Sequence, residues 1–123
     1  MSRKKFHHWL EKLGKAWSDL NPEVAADLFS KDVEYYESAT KNPCESWDKV
    51  FDLWRVIPTN QKDIVFNFDI LAISGNVCIA NWRVKRVLLP QNIGQKIDGI
   101  FVFKLNKDCL CNYFKQWRAV ENM

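Results

Sequence analysis

The stretch Asp63-Ile64-Val65-Phe66-Asn67-Phe68-Asp69-Ile70-Leu71-Ala72-Ile73-Ser74-Gly75-Asn76 is where the chain changes its period. Ile64, Phe66, Phe68, Ile70 and Ala72 fall on one side of a two-residue repeat, and Val65, Asn67, Asp69, Leu71 and Ile73 on the other. Such alternation predicts a β-strand, and Ser74-Gly75-Asn76 predicts the hairpin turn that ends it. Downstream the strand pattern continues. Val77 to Leu89 reads as a long second strand and Pro90 to Gly94 as a loop. Ile97–Leu105 and Leu110–Val120 form another hairpin through Asn106-Lys107-Asp108.

Upstream the period is helical. Phe6, Trp9, Leu10, Leu13, Trp17 and Leu20 recur at three- and four-residue steps, with Lys5, Glu11, Lys12, Lys15 and Asp19 on the other side. Asn21-Pro22-Glu23 is a helix start, with Asn as cap, Pro at the first position and an acid in the first turn. Val24, Ala25, Leu28 and Phe29 carry this second helix to about Ser30, and Asp32 to Glu37 is β-prone. Asn42-Pro43-Cys44 reads as a turn. Ser46 caps a third helix with a stripe of Trp47, Val50, Phe51, Trp54 and Ile57, which Pro58 closes.

The expected order is therefore helix, helix, strand, helix, then four strands in two hairpins. That is an α+β domain with three N-terminal helices on a bent, mainly antiparallel sheet, and at 123 residues it is a single domain spanning 1–123. Several strands carry large apolar groups on both faces. Helices would cover the concave face, and a second copy of the chain would cover the convex one.

Composition bounds the function. At 47% hydrophobic and 27% charged the chain is globular rather than disordered. The net charge of +3 is spread out, apart from Arg3-Lys4-Lys5 and the group Arg83, Lys85 and Arg86, so no basic stripe marks a nucleic-acid binder. His7 and His8 are the only histidines, and Cys109-Leu110-Cys111 lacks metal-ligand spacing, so no metal site and no cofactor are expected. The four cysteines read as reduced thiols of a cytoplasmic protein. No apolar run predicts a signal peptide or a membrane span.

Certain residues at the joints of this order carry a family resemblance: Ala16-Trp17, then Ala25-Ala26-Asp27-Leu28-Phe29-Ser30-Lys31-Asp32-Val33-Glu34-Tyr35. Gly99-Ile100-Phe101-Val102-Phe103 and Tyr113-Phe114-Lys115-Gln116-Trp117-Arg118 complete the set. From about Trp9 to Trp117 the chain resembles the nuclear transport factor 2-like (SnoaL-like) superfamily. The resemblance implies a cone-shaped α+β barrel with a pocket at its open end, and often a homodimer. Function does not follow from the fold, since relatives include isomerases, cyclases, dehydratases, epoxide hydrolases and transport factors.

Carboxylates are the candidates for chemistry. Glu37 falls where ketosteroid isomerase-like members carry their base, and Asp98 and Asp69 are the candidates for a cyclase-type acid that faces the cavity from a central strand. The isomerase's oxyanion donors are missing, because they fall on Phe101 and near Leu13 or Gly14. The Asp-Arg-Asp set of epoxide hydrolases falls on Lys85, Arg83 and Lys115, and lysine cannot take a carboxylate's role with water. Candidate pocket walls are Trp17, Tyr35, Trp54, Trp82, Phe101, Phe103 and Phe114, with Arg118 as a partner for a ligand carboxylate. For each the alternative is ordinary core packing or surface charge. Three functions stay open: a domain binding a small apolar or aromatic molecule, a cofactor-free lyase, isomerase or cyclase, and a protein-interaction module.

Overall fold

The computed structural model describes residues 2–123. Helix α1 (Arg3–Ser18) starts at Ser2, whose hydroxyl accepts from the Lys5 amide, and buries Phe6, Trp9, Leu10, Leu13 and Trp17 along one stripe. A short α2 (Pro22–Ala26) is capped by Asn21, whose side chain accepts from the Val24 amide. Strand β1 (Phe29–Tyr36) follows, then α3 (Trp47–Trp54), a one-turn α4 (Ile57–Asn60), and strands β2 (Gln61–Ser74), β3 (Val77–Leu88), β4 (Ile93–Leu105) and β5 (Cys111–Asn122).

The strands form one sheet in the order β1-β5-β4-β3-β2, with β1 and β5 parallel and the other pairs antiparallel. The sheet curls around α1 without closing, which is the cone of the nuclear transport factor 2-like fold. Its concave face is the core. Phe6 meets Phe103 edge-on at 5.7 Å, and Trp9 stacks on Phe103 at 4.8 Å and meets Phe29 edge-on at 5.5 Å.

Several boundaries differ from the sequence reading. The second helix stops at Ala26, and β1 begins three residues before Asp32. The carbonyl of Leu28, which a longer helix would have used, accepts from the Trp9 indole at 3.0 Å and the Cys111 amide at 2.9 Å. Long-range partners thus take over from a helix too short to hold by itself. Pro58 lies in the first turn of α4, so it opens that turn instead of closing α3. Strand β4 starts at Ile93, not Ile97, because Gly94 and Gln95 pair with the end of β5.

A bulge in β2 between Ile70 and Ala72 reverses the strand's parity. Ile73, opposite Cys78, therefore joins the inner face, while Ala72 turns outward opposite Ile79. Among the described residues no helix is long and apolar enough to cross a membrane, and all four cysteines are free thiols.

Candidate functional site

Between the open end of the sheet and the helices lies a cavity of about 380 Å³. Helix α1 contributes Leu13 and Trp17, α3 contributes Leu53 and Trp54, and α4 contributes Ile57 and Asn60. The sheet side follows from alternation. On β5, Phe114, Gln116 and Arg118 share one face, on β4 Ile97 and Phe101 do, and on β3 Arg86 and Leu88 line the rim.

The walls are rings in contact. Trp17 meets Trp54 edge-on at 5.6 Å, Tyr35 stacks on Phe114 at 4.8 Å, and Phe101 lies 4.7 Å from Phe114. The Trp17 indole donates to Gln61 Oε1 at 3.0 Å, which fixes its plane. The Trp54 indole N–H is buried without a hydrogen-bond partner. Burial pushes the Tyr35 phenol above its ordinary range and the charge of Glu37 pushes the same way, while Trp54 acts against them. Tyr35 is thus a neutral hydroxyl at physiological pH, able to donate or accept a hydrogen bond but not to act as a base.

At the mouth, Gln95 Oε1 accepts from Nε and Nη2 of Arg86 at 3.1 and 3.0 Å, and Gln95 in turn donates to Asn122 Oδ1 at 2.9 Å. Burial lowers the Arg86 pKa and the nearby Arg118 guanidinium lowers it further. Arg86 stays cationic near neutral pH, because an arginine starts so high. Glu37, half-buried just past the end of β1, is the one acid among the lining residues. Among the described residues no three His, Cys, Asp or Glu side chains gather in a way that would hold a metal ion.

The structure brings Glu37, Trp17, Tyr35, Trp54, Phe101, Phe114 and Arg118 to this one cavity. Trp82 and Phe103 lie behind it instead. Trp82 is fully buried and stacked on Phe101 at 4.8 Å, in the space that Gly99 leaves by having no side chain. Phe103 is taken up by Phe6 and Trp9 at the closed end.

Asp98 is exposed on the convex face, where the Asn81 amide donates to it at 2.7 Å. Pairing of β4 with its neighbours runs without a bulge from Gln95 to Lys104, so Asp98 shares the outer face with Lys96 and Ile100, away from the cavity. Arg83 lies on that face too, ion-paired to Asp69 at 3.0 Å, and Lys115 sits over the rings of Tyr36 and Trp117. The positions matched to the epoxide hydrolase set therefore lie outside the cone. Arg86, Gln61 and Gln116 were not singled out from the sequence. Arg86 shares parity with Trp82 and Val84, and that parity would have revealed it once the inner face of β3 was known.

Neither a protein-family model nor a curated protein matches the chain by sequence. Solved structures match it by shape. An epoxide hydrolase/cyclase-like enzyme, SalBIII, involved in pyran ring formation in the polyether salinomycin, superposes with a TM-score of 0.80 at 11% identity, covering 98% of this chain and 95% of that one. A putative isomerase from Bacillus subtilis gives 0.81 at 10% identity, over 94% of this chain and 87% of that one. A hexachlorocyclohexane dehydrochlorinase (LinA type 2) gives 0.77 at 11% identity, over 98% and 88%. These likenesses establish the nuclear transport factor 2-like (SnoaL-like) fold of this chain. At such identities they carry the fold alone.

Proposed function

We propose that the chain is a small-molecule-binding domain that takes an apolar or aromatic ligand in the cavity at the open end of the cone. The observation that carries this reading is the cavity itself: about 380 Å³ bounded by Trp17, Tyr35, Trp54, Phe101 and Phe114, with a few polar groups at its mouth. Its size and its mixture of rings with a few convergent polar groups are those of a small-molecule site. Native mass spectrometry of the purified protein, repeated after denaturation, tests it. A small molecule carried by the folded chain and lost on unfolding is the expected result. A chain that carries nothing and binds no member of an aromatic fragment set would overturn the reading.

A second reading, a cofactor-free lyase, isomerase or cyclase, is favoured by one observation: Glu37 lines the cavity close enough to Tyr35 to act on its ionisation. A carboxylate there could move a proton next to a carbonyl, with the Tyr35 hydroxyl as donor. Glu37→Gln separates the two readings. Binding retained with turnover lost supports the enzyme, whereas unchanged behaviour in both supports simple binding.

We also infer that two copies pair through the convex sheet face. Ile79, Ile100 and Val102 are half-buried there, and Trp117 is 43% exposed beside them. A second copy would cover these groups. The free thiols favour a reducing compartment such as the cytoplasm. Light scattering is expected to return twice the chain mass, and a monomer mass would overturn the pairing.

A further inference from the structure

Two guanidiniums share the cavity, and neither is ion-paired among the described residues. Among the described residues Arg86 has only the neutral Gln95 as a hydrogen-bond partner, and Arg118 has none. Like charges sharing a partly desolvated space repel, and the single acid of the lining, Glu37, offsets only one of the two.

The geometry around Arg86 is also built. Gln95 is 8% exposed and is itself tethered to Asn122, so it holds the guanidinium by its Nε–Nη2 side. That leaves the edge formed by Nη1 and the second Nη2 hydrogen, which is suited to the two oxygens of a carboxylate. Arg118 lies on β5 opposite Gly99, two inward-facing positions deeper along that strand than Asn122. An anion between the two would meet one fixed fork, on Arg86, and one exposed cation, on Arg118. With Glu37 counted, the lining carries two positive charges and one negative, so a single anionic group balances it.

We propose that the mouth of the cavity is a carboxylate subsite. In it Arg86 and Arg118 clamp the head of an aromatic or branched apolar acid, whose body lies against Trp17, Tyr35, Trp54 and Phe101. This rests on the binding reading above and names the class of ligand. Preorganisation by Gln95 lets Arg86 bind without first losing side-chain freedom, which is where affinity is gained in a small site.

The test is calorimetric titration of the full chain at neutral pH with 2-naphthylacetate and, separately, with 2-naphthylacetamide. The two probes share a ring body and differ in the charge of the head group. The acid is expected to bind about tenfold or more tighter than the amide, as two charge-assisted contacts imply. In Arg86→Gln and in Arg118→Gln that preference should fall by about fivefold or more, while the amide keeps its affinity within about twofold. Arg86→Lys, which keeps the charge and loses the fork, should fall between.

Equal binding of acid and amide to the parent protein overturns the subsite and leaves the pocket standing. Failure of both probes to bind overturns the subsite together with the reading it rests on. A preference that survives both substitutions places the acid elsewhere and overturns the assignment. Circular dichroism checks that each variant is folded. Arg118 is exposed at the mouth, so its variant carries the test alone if Arg86→Gln does not fold.

Discussion

At the closed end of the cone, Phe6 and Trp9 of α1 press directly onto Phe103, and Trp9 also reaches Phe29 and Phe114. At the open end the same helix presents Leu13 and Trp17 across a cavity of about 380 Å³. Both ends are rich in rings, and their polar groups set them apart. The closed-end Trp9 N–H is satisfied by the Leu28 carbonyl, while the open-end Trp54 N–H has no partner. Glu37, Arg86, Gln116 and Arg118 gather only at the open end. A core that could have collapsed is held apart there by groups that want water or a ligand. One end of the fold is finished by packing, and the other encloses a cavity with polar groups at its mouth.

The sharpest way to break this contrast is truncation at each end. Phe103→Ala, at a side chain with no exposure, should cost about 3–5 kcal/mol in a denaturant titration. Leu53→Ala, at a half-buried wall of the cavity, should cost about 1 kcal/mol. Equal losses would mean that the open end is packed as firmly as the closed one.

Between the two ends lies Gly99, where an added Cβ would stand 2.3 Å from the Trp117 carbonyl oxygen and 2.6 Å from the Trp82 indole nitrogen. Neither neighbour can move cheaply, since one is backbone and the other a fully buried ring. Gly99→Ala is therefore expected to lower stability by about 1–3 kcal/mol, read by the same titration. It should also shift the fluorescence of the Trp17, Trp54 and Trp82 cluster.

The sequence displayed this contrast only in part. Architecture was legible because it rests on repeats: the helical stripe of Phe6 to Trp17 and the alternation of Ile64 to Ile70 each commit a run of residues to one reading. What could not be read was any feature set by distant partners. Phe29 and Leu28 fit a helix locally, and only Trp9 and Cys111 turn them into the start of a strand.

The same limit governs the site. Trp82 and Phe103 have the chemistry of pocket walls, but their depth depends on Gly99 and on α1 and so is invisible along the chain. Arg86 and Arg83 differ by three positions and face opposite ways, and their identity as arginines says nothing about which one looks inward. Asp98 was a matter of parity alone, and an unbroken register put it outside.

Alkaline pH should separate the two ends by onset. Burial raises the Cys78 thiol from 9.0 to about 11 and pushes Cys111 higher still, and both lie on the core face toward the closed end. Tyr35, at the open end, is raised from an ordinary value of 10.0. In each case the folded chain keeps a proton that the unfolded chain has lost. Stability is thus fully present below the unfolded pKa and falls as pH rises through the folded one. Urea midpoints should start to drop above pH 9 as the unfolded thiols ionise, and drop more steeply above pH 10 as the phenol joins. Each fully engaged group adds at most about 1.4 kcal/mol per pH unit. Cys111→Ala should flatten the first stage, and Tyr35→Phe the second. A single onset unaffected by either change would remove the distinction.

The smallest expected effect says most about the open end. Arg118 is exposed, has no ion-pair or hydrogen-bond partner among the described residues, and shares its cavity with the cation of Arg86. Arg118→Gln should therefore leave stability within about 0.5 kcal/mol of the parent, with any change in the stabilising direction, since a repulsion is relieved. Raising ionic strength should narrow that difference by screening the parent's two charges. A clear loss of stability on substitution would mean that Arg118 holds the mouth together, and the open end would then be a structural rim. A neutral or stabilising result leaves the charge without a part in folding. A side chain that gives the fold nothing, yet shares the cavity with Arg86, is what the proposed carboxylate subsite requires.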